Sequence, residues 1–108
     1  MALRFFNTLT NRIEDFTPLD GHTVRMYTCG PTVWSYAHIG NFRTFVFQDI
    51  LRRWLRYRGY ALKHVMNLTD VDDRIIQQAT AAGQSIFDYT AVYTQAFLED
   101  AAALRLER

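Results

Sequence analysis

Between Phe42 and Tyr57 the apolar residues return with helical spacing: Phe47, Ile50, Leu51, Trp54 and Leu55 stand at i, i+3, i+4, i+7 and i+8. The spacing predicts an amphipathic helix that turns these five side chains inward. Asp49, Arg52, Arg53 and Arg56 then fall on the opposite, solvated face, where Asp49 and Arg53 are one turn apart and suited to an ion pair. Gly59 is placed to end the helix. Strand patterns flank it. Val24, Met26 and Thr28 alternate with Arg25 and Tyr27, and the run stops at Cys29-Gly30-Pro31, where proline cannot continue a ladder. Tyr60 to Met66 is a second strand, and Leu3 to Leu9 a short one before the polar run Thr10 to Asp15. Thr17 to Gly21 holds turn formers and reads as a loop. Thr69 or Asp70 is expected to cap a further helix, with Asp72 and Asp73 in its first turn and Gly83 after its end near Ala82. Ser85 to Leu106 is a last helical region, with Ile86, Tyr89, Tyr93, Phe97 and Leu104 as core positions. Strand, helix, strand, helix predicts an α/β fold with parallel strands.

Composition narrows the class without naming a function. A chain of 108 residues suits one domain, and 49% hydrophobic residues can build a core for it. A net charge of +1 does not by itself announce a nucleic-acid partner. The single cysteine excludes an internal disulfide and fits a reducing, cytoplasmic setting. No apolar run reaches membrane-spanning length, and the N-terminus MALRFFNTLTNR lacks the apolar core of a signal peptide. A cytoplasmic protein with no membrane partner is expected.

The segment Cys29 to Asn41, CGPTVWSYAHIGN, joins a predicted strand to a predicted helix. A helix N-terminus offers free N–H groups and a partial positive charge to phosphates. Gly40 lets another group approach the backbone, and His38 can donate hydrogen bonds. Taken alone, those four residues, His38-Ile-Gly-Asn41, read first as a helix-starting turn with a packed histidine. Their flanks decide. Met26 to Tyr60, MYTCGPTVWSYAHIGNFRTFVFQDILRRWLRYRGY, resembles the opening of the class I aminoacyl-tRNA synthetases, and among them the cysteinyl-tRNA synthetases, whose pattern is MYxCGxTVYxxxHIGHxRxxVxxDxxxRxLxxxGY. Asn67 to Ile75, NLTDVDDRI, resembles the family's NxTDxDDKI, and Asn7 to Thr10 its opening NTL(T/S). Asn41 replaces the second histidine of HIGH, Trp34-Ser35 replace the usual Tyr-Asp, and Arg74 replaces a lysine.

The resemblance implies the first half of a Rossmann-like nucleotide-binding domain of the HUP type, with residues 1–108 as the N-terminal part of a class I synthetase catalytic core. It implies a monomeric intact ligase that activates cysteine with ATP and magnesium to cysteinyl-adenylate and transfers it to tRNA(Cys). His38, Gly40 and Asn41 match the ATP contacts, with His38 the catalytic residue through stabilisation of the transition state. Gly30, Thr32 and Thr69 match the cysteine pocket, although Thr32 also suits a turn and Thr69 a helix cap. Cys29 matches the first ligand of a zinc ion that binds the substrate's thiolate. The remaining ligands, the KMSKS loop and the anticodon-binding region are not in these residues, so the chain alone is expected to be inactive. Asp70, Asp72 and Asp73 lack the glycine and distant glutamate of a calcium loop and read as caps and solvated charge. Arg52, Arg53, Arg56 and Arg58 read as a solvated face before a phosphate-binding stripe. Three alternatives stay open: the cysteine-adenylating ligase of mycothiol synthesis, a nucleotidylyltransferase with an HxGH loop, and a non-catalytic paralogue acting as a binding module.

Overall fold

A computed structural model describes all residues, Met1 to Arg108. The elements in chain order are β1 (Arg4–Asn7), β2 (Arg12–Asp15), β3 (Thr23–Thr28), α1 (Ile39–Tyr57), β4 (Ala61–Met66), α2 (Asp73–Ala82) and α3 (Ile86–Ala103). β1 and β2 form an antiparallel hairpin in which Phe6 faces Ile13 and Asn7 faces Arg12. The polar run after Leu9, expected as a flank, is therefore mostly strand. The turn is supplied by Asn11, whose φ of 57° suits asparagine better than most residues. β3 and β4 pair in parallel, Thr23 with Ala61 through Thr28 with Met66. α1 is the crossover between them, which makes β3–α1–β4 the unit of a partial Rossmann-like fold. No helix is long and apolar enough to cross a membrane.

The inward face of α1 is only in part the one its apolar spacing predicts, since Leu55 is buried and Leu51 half-buried as expected. Phe42, Phe45, Gln48, Asp49, Arg52 and Leu55 are buried, whereas Phe47, Ile50 and Trp54 stay 63%, 59% and 43% exposed. The helix carries two apolar sectors, and periodicity alone does not rank them. Tertiary packing does: Phe42 and Phe45 meet Phe97 of α3, with ring centroids 5.7 and 5.4 Å away. That choice carries Asp49 and Arg52 inside, where they bond to each other and to Glu107, while Arg52 Nε is left without a partner. Arg52 donates to Asp49 at 2.6 Å and to the Glu107 carbonyl at 2.8 Å, and the Glu107 N–H donates to Asp49 at 2.9 Å. Arg53 pairs with Asp49 at 2.7 Å, as the sequence spacing predicts. Arg56 pairs with Glu107, and Arg58 donates to the Met1 carbonyl. Arg53 and Arg56 thus stay on a solvated face as expected, Arg52 is buried against that expectation, and the row as a whole bonds to Met1 and to Arg105 and Glu107.

The later helices keep their predicted positions with two changes. The cap of α2 is Asp72, whose carboxylate accepts from Ile75 N–H at 2.9 Å, and not Thr69 or Asp70. Gly83 closes α2 in the left-handed conformation with φ 68°, as its place in the sequence predicts. Ser85 caps α3 through Asp88 N–H at 3.1 Å. Tyr89 and Phe97 are buried on α3, but Leu104 is 50% exposed. The helix stops at Ala103, Arg105 turns the chain with φ 58°, and Leu106 packs against the phenylalanine cluster instead.

Candidate functional site

Two loops leave the C-terminal ends of β3 and β4, the place where open α/β sheets bind ligands. They are stitched together. Gly30 N–H donates to Asn67 Oδ1 at 2.7 Å. Thr32 bridges to Thr69 in parallel, with Thr69 N–H donating to the Pro31 carbonyl at 2.9 Å and Val33 N–H to the Thr69 carbonyl at 3.0 Å. Asn67 Nδ2 then donates to Thr69 Oγ1 at 3.1 Å. The structure therefore brings the three residues matched to the cysteine pocket, Gly30, Thr32 and Thr69, into one contact. The bridge also explains why Thr69 does not cap α2, since its backbone is already engaged on both sides.

Gly30 is glycine for a reason the backbone makes plain. A Cβ there would sit 1.9 Å from the Asn67 carbonyl oxygen and 2.9 Å from Met66 Cγ. Cys29, one residue earlier, is a free and exposed thiol. Its carbonyl accepts from Gln48 Nε2 at 3.2 Å, which ties the loop to the buried face of α1. No group of three or more His, Cys, Asp or Glu side chains surrounds the thiol. His64 is occupied elsewhere: its Nε2 lies 2.7 Å from Thr28 Oγ1. Burial, followed by the charges of Arg52 and Arg56, holds that imidazole below its ordinary pKa.

The helix begins at Ile39 rather than Phe42, and His38 is its N-cap. His38 Nδ1 accepts from Gly40 N–H at 3.0 Å, and His38 N–H donates to Asn41 Oδ1 at 3.1 Å. The three residues matched to ATP, His38, Gly40 and Asn41, are thus brought together as a reciprocal cap. Because Nδ1 accepts, the neutral ring carries its proton on Nε2. The room made by Gly40 is filled by the histidine itself, since a Cβ there would lie 2.7 Å from His38 Cε1. Asn41 spends its carbonyl oxygen on the cap. All three residues are exposed.

Two residues that carry this geometry, Asn67 and Gln48, were not singled out by the sequence, and a third, Trp34, stood out only as a departure from the family pattern. Asn67 joins the loops, and its place in the NLTDVDDRI block was the available signal. Gln48, buried on α1, had no signal, because a polar residue on a helix reads as solvated. Trp34 is held by the Arg74 guanidinium, 5.1 Å from its ring centroid, and by Tyr89 OH, which donates to its carbonyl at 2.6 Å. A cavity of about 530 Å³ opens under β4 between α1 and the end of α3, and of the stitched residues only Asn67 lines it.

The comparisons with known proteins follow this layout. The profile of the family described as "tRNA synthetases class I (C) catalytic domain" matches residues 15–108. The chain is 64% identical over 108 residues to a protein named cysteine–tRNA ligase from Solibacter usitatus, covering all of this chain and 23% of that protein. It is 60% identical over 107 residues to the protein of the same name from Koribacter versatilis, covering 99% of this chain and 22% of that protein. With that of Thermococcus onnurineus it shares 46% over 107 residues, again 99% of this chain and 22% of the relative. The chain therefore spans less than a quarter of the length of these relatives. It belongs to the class I synthetase catalytic-domain family.

Proposed function

We propose that the polypeptide carrying this chain of the class I synthetase family is a cysteine–tRNA ligase, which activates cysteine with magnesium-bound ATP and passes it to tRNA(Cys). One observation carries the reading: the loops after β3 and β4 are stitched through Gly30, Thr32, Asn67 and Thr69, and the first of these loops runs on into a helix that His38 caps. In this reading the amino acid lies against the stitched loops and ATP at the cap of α1. Gly40 N–H already donates to the His38 ring, so phosphate oxygens meet the ring's Nε2–H rather than that amide. A donor aimed at the α-phosphate, where negative charge grows as the carboxylate attacks, lowers the barrier more than it strengthens ground-state binding.

Cys29 fits zinc as a single donor, because its thiol is exposed while its carbonyl is anchored by Gln48. Zinc, when bound, supplies a soft site that prefers a thiolate over a hydroxyl, the difference between cysteine and serine. Residues 1–108 contain no set that closes a tetrahedral shell. The other donors then belong to the rest of the polypeptide, and the chain alone is expected to be inactive. The test is ATP–pyrophosphate exchange on the full polypeptide with its zinc content measured. Exchange that requires cysteine and ignores serine is expected, with zinc lost in Cys29→Ala. No cysteine-dependent exchange would end the ligase reading, and undiminished zinc in the variant would remove Cys29 from the metal site.

A further inference from the structure

We propose that Asn67 is a positioning residue for the amino-acid side of the site: it directs the hydroxyl proton of Thr69, so that Thr69 offers a donor to an acceptor atom of the substrate. This rests on the reading of Gly30, Thr32 and Thr69 as the substrate pocket. The orientation follows from one group that has no choice. A backbone N–H only donates, and that of Gly30 lies 2.7 Å from one end of the Asn67 amide, so that end is the oxygen. The other end is then the NH2 group, 3.1 Å from Thr69 Oγ1. An NH2 group has only protons to give, so the hydroxyl oxygen accepts and its own proton points to a third group.

The main chain of Thr69 is pinned while this happens. Its N–H is bonded to Pro31 at 2.9 Å and its carbonyl to Val33 at 3.0 Å, so the hydroxyl cannot be turned by moving the backbone. The side-chain hydrogen bond of Thr69 is the one its hydroxyl accepts from Asn67. The geometry is completed by Gly30, whose missing Cβ allows the Asn67 carbonyl to pass where a side chain would stand. A hydroxyl held this way accepts from the protein and donates to a ligand. It suits the oxygen of a carboxylate or the sulfur of a thiolate.

The test is a double-substitution cycle in the full polypeptide, read as the KM for cysteine in ATP–pyrophosphate exchange. Asn67→Asp keeps an acceptor for Gly30 N–H but places a second acceptor beside Thr69, which turns the hydroxyl proton away from the substrate. We expect the KM for cysteine to rise about tenfold, in the range of one lost hydrogen bond to a charged partner, with the KM for ATP unchanged. Asn67→Ala, which frees the hydroxyl to rotate, should raise it about threefold. Neither substitution should add to the effect of Thr69→Val. Additive effects, or an unchanged cysteine KM in both Asn67 variants, overturn the proposal. If Thr69→Val itself leaves the cysteine KM unchanged, the pocket reading falls and this proposal with it. Competition by cysteamine, which lacks the carboxylate, identifies the acceptor: its inhibition weakens in Asn67→Asp if Thr69 faces sulfur and is unaltered if Thr69 faces the carboxylate.

Discussion

At the scale of single residues, Gly30 and His38 show how one side chain can serve local structure and chemistry together. Gly30 is fixed by a backbone oxygen 1.9 Å from where its Cβ would be, and backbone yields less readily than a flexible side chain. Gly30→Ala should therefore destabilise the protein by about 2–3 kcal/mol, the upper range for overpacking, as measured by urea unfolding. An unchanged midpoint would mean that the two loops are not in contact. His38 needs a finer test, because removing it also removes a helix cap worth about 1 kcal/mol. Asparagine is a good N-cap, so His38→Asn keeps the start of α1 and removes only the Nε2–H donor. It should lower kcat by about 10²-fold, as loss of a transition-state donor does, with a smaller change in the KM for ATP. A fall confined to His38→Ala would assign His38 to the cap alone.

At the scale of elements, α1 is decided by its charged face. Burial pushes the Asp49 carboxyl up, but the Glu107 N–H and the Arg53 and Arg52 side chains outweigh it and hold the group below its ordinary pKa. A carboxyl whose folded pKa is depressed binds fewer protons folded than unfolded below about pH 5, so its contribution is present above the ordinary carboxylate pKa and is lost as pH falls through the folded one. Asp49→Asn leaves Arg52 buried without its charge partner and should cost about 3 kcal/mol near pH 7. The gap between variant and wild type should narrow below about pH 4, where both carry a neutral group in the unfolded chain. A gap that is constant from neutral to acid pH would show that Asp49 acts by shape alone. The placement of this acid was not legible from periodicity. Phe47, Ile50 and Trp54 make as good a stripe as Phe42, Phe45 and Leu55, and the contact with Phe97 that separates them lies some 50 residues away in sequence.

At the scale of the molecule, the chain is extended. Its radius of gyration is 17.1 Å and its extents are 55 × 31 × 24 Å. A compact chain of this length has a radius of gyration near 13 Å. The extra surface is partly apolar: Phe47, Ile50, Trp54 and Tyr57 line one side of α1 and are 63%, 59%, 43% and 81% exposed. A stripe of this kind is covered in most stable proteins. The isolated 108-residue chain is expected to self-associate as its concentration rises, and Phe47→Glu should reduce that, in sedimentation velocity runs across a range of concentrations. A monodisperse monomer throughout would show that the stripe tolerates water.

The sequence by itself determined most of what local chemistry controls. The C-terminal ends of β3 and β4, the Gly83 stop, the start of α3 near Ser85, the Asp49–Arg53 spacing and the family all follow from short-range patterns, because turns and motif blocks are written in neighbouring residues. Only the tertiary structure decided which face of α1 turns inward, that the arginine row clasps Glu107 and Met1, and that Asn67 joins Gly30 to Thr69. Each of these depends on contacts between residues far apart in the chain. A helical period states that a face exists, and the partner that buries it is supplied by the fold.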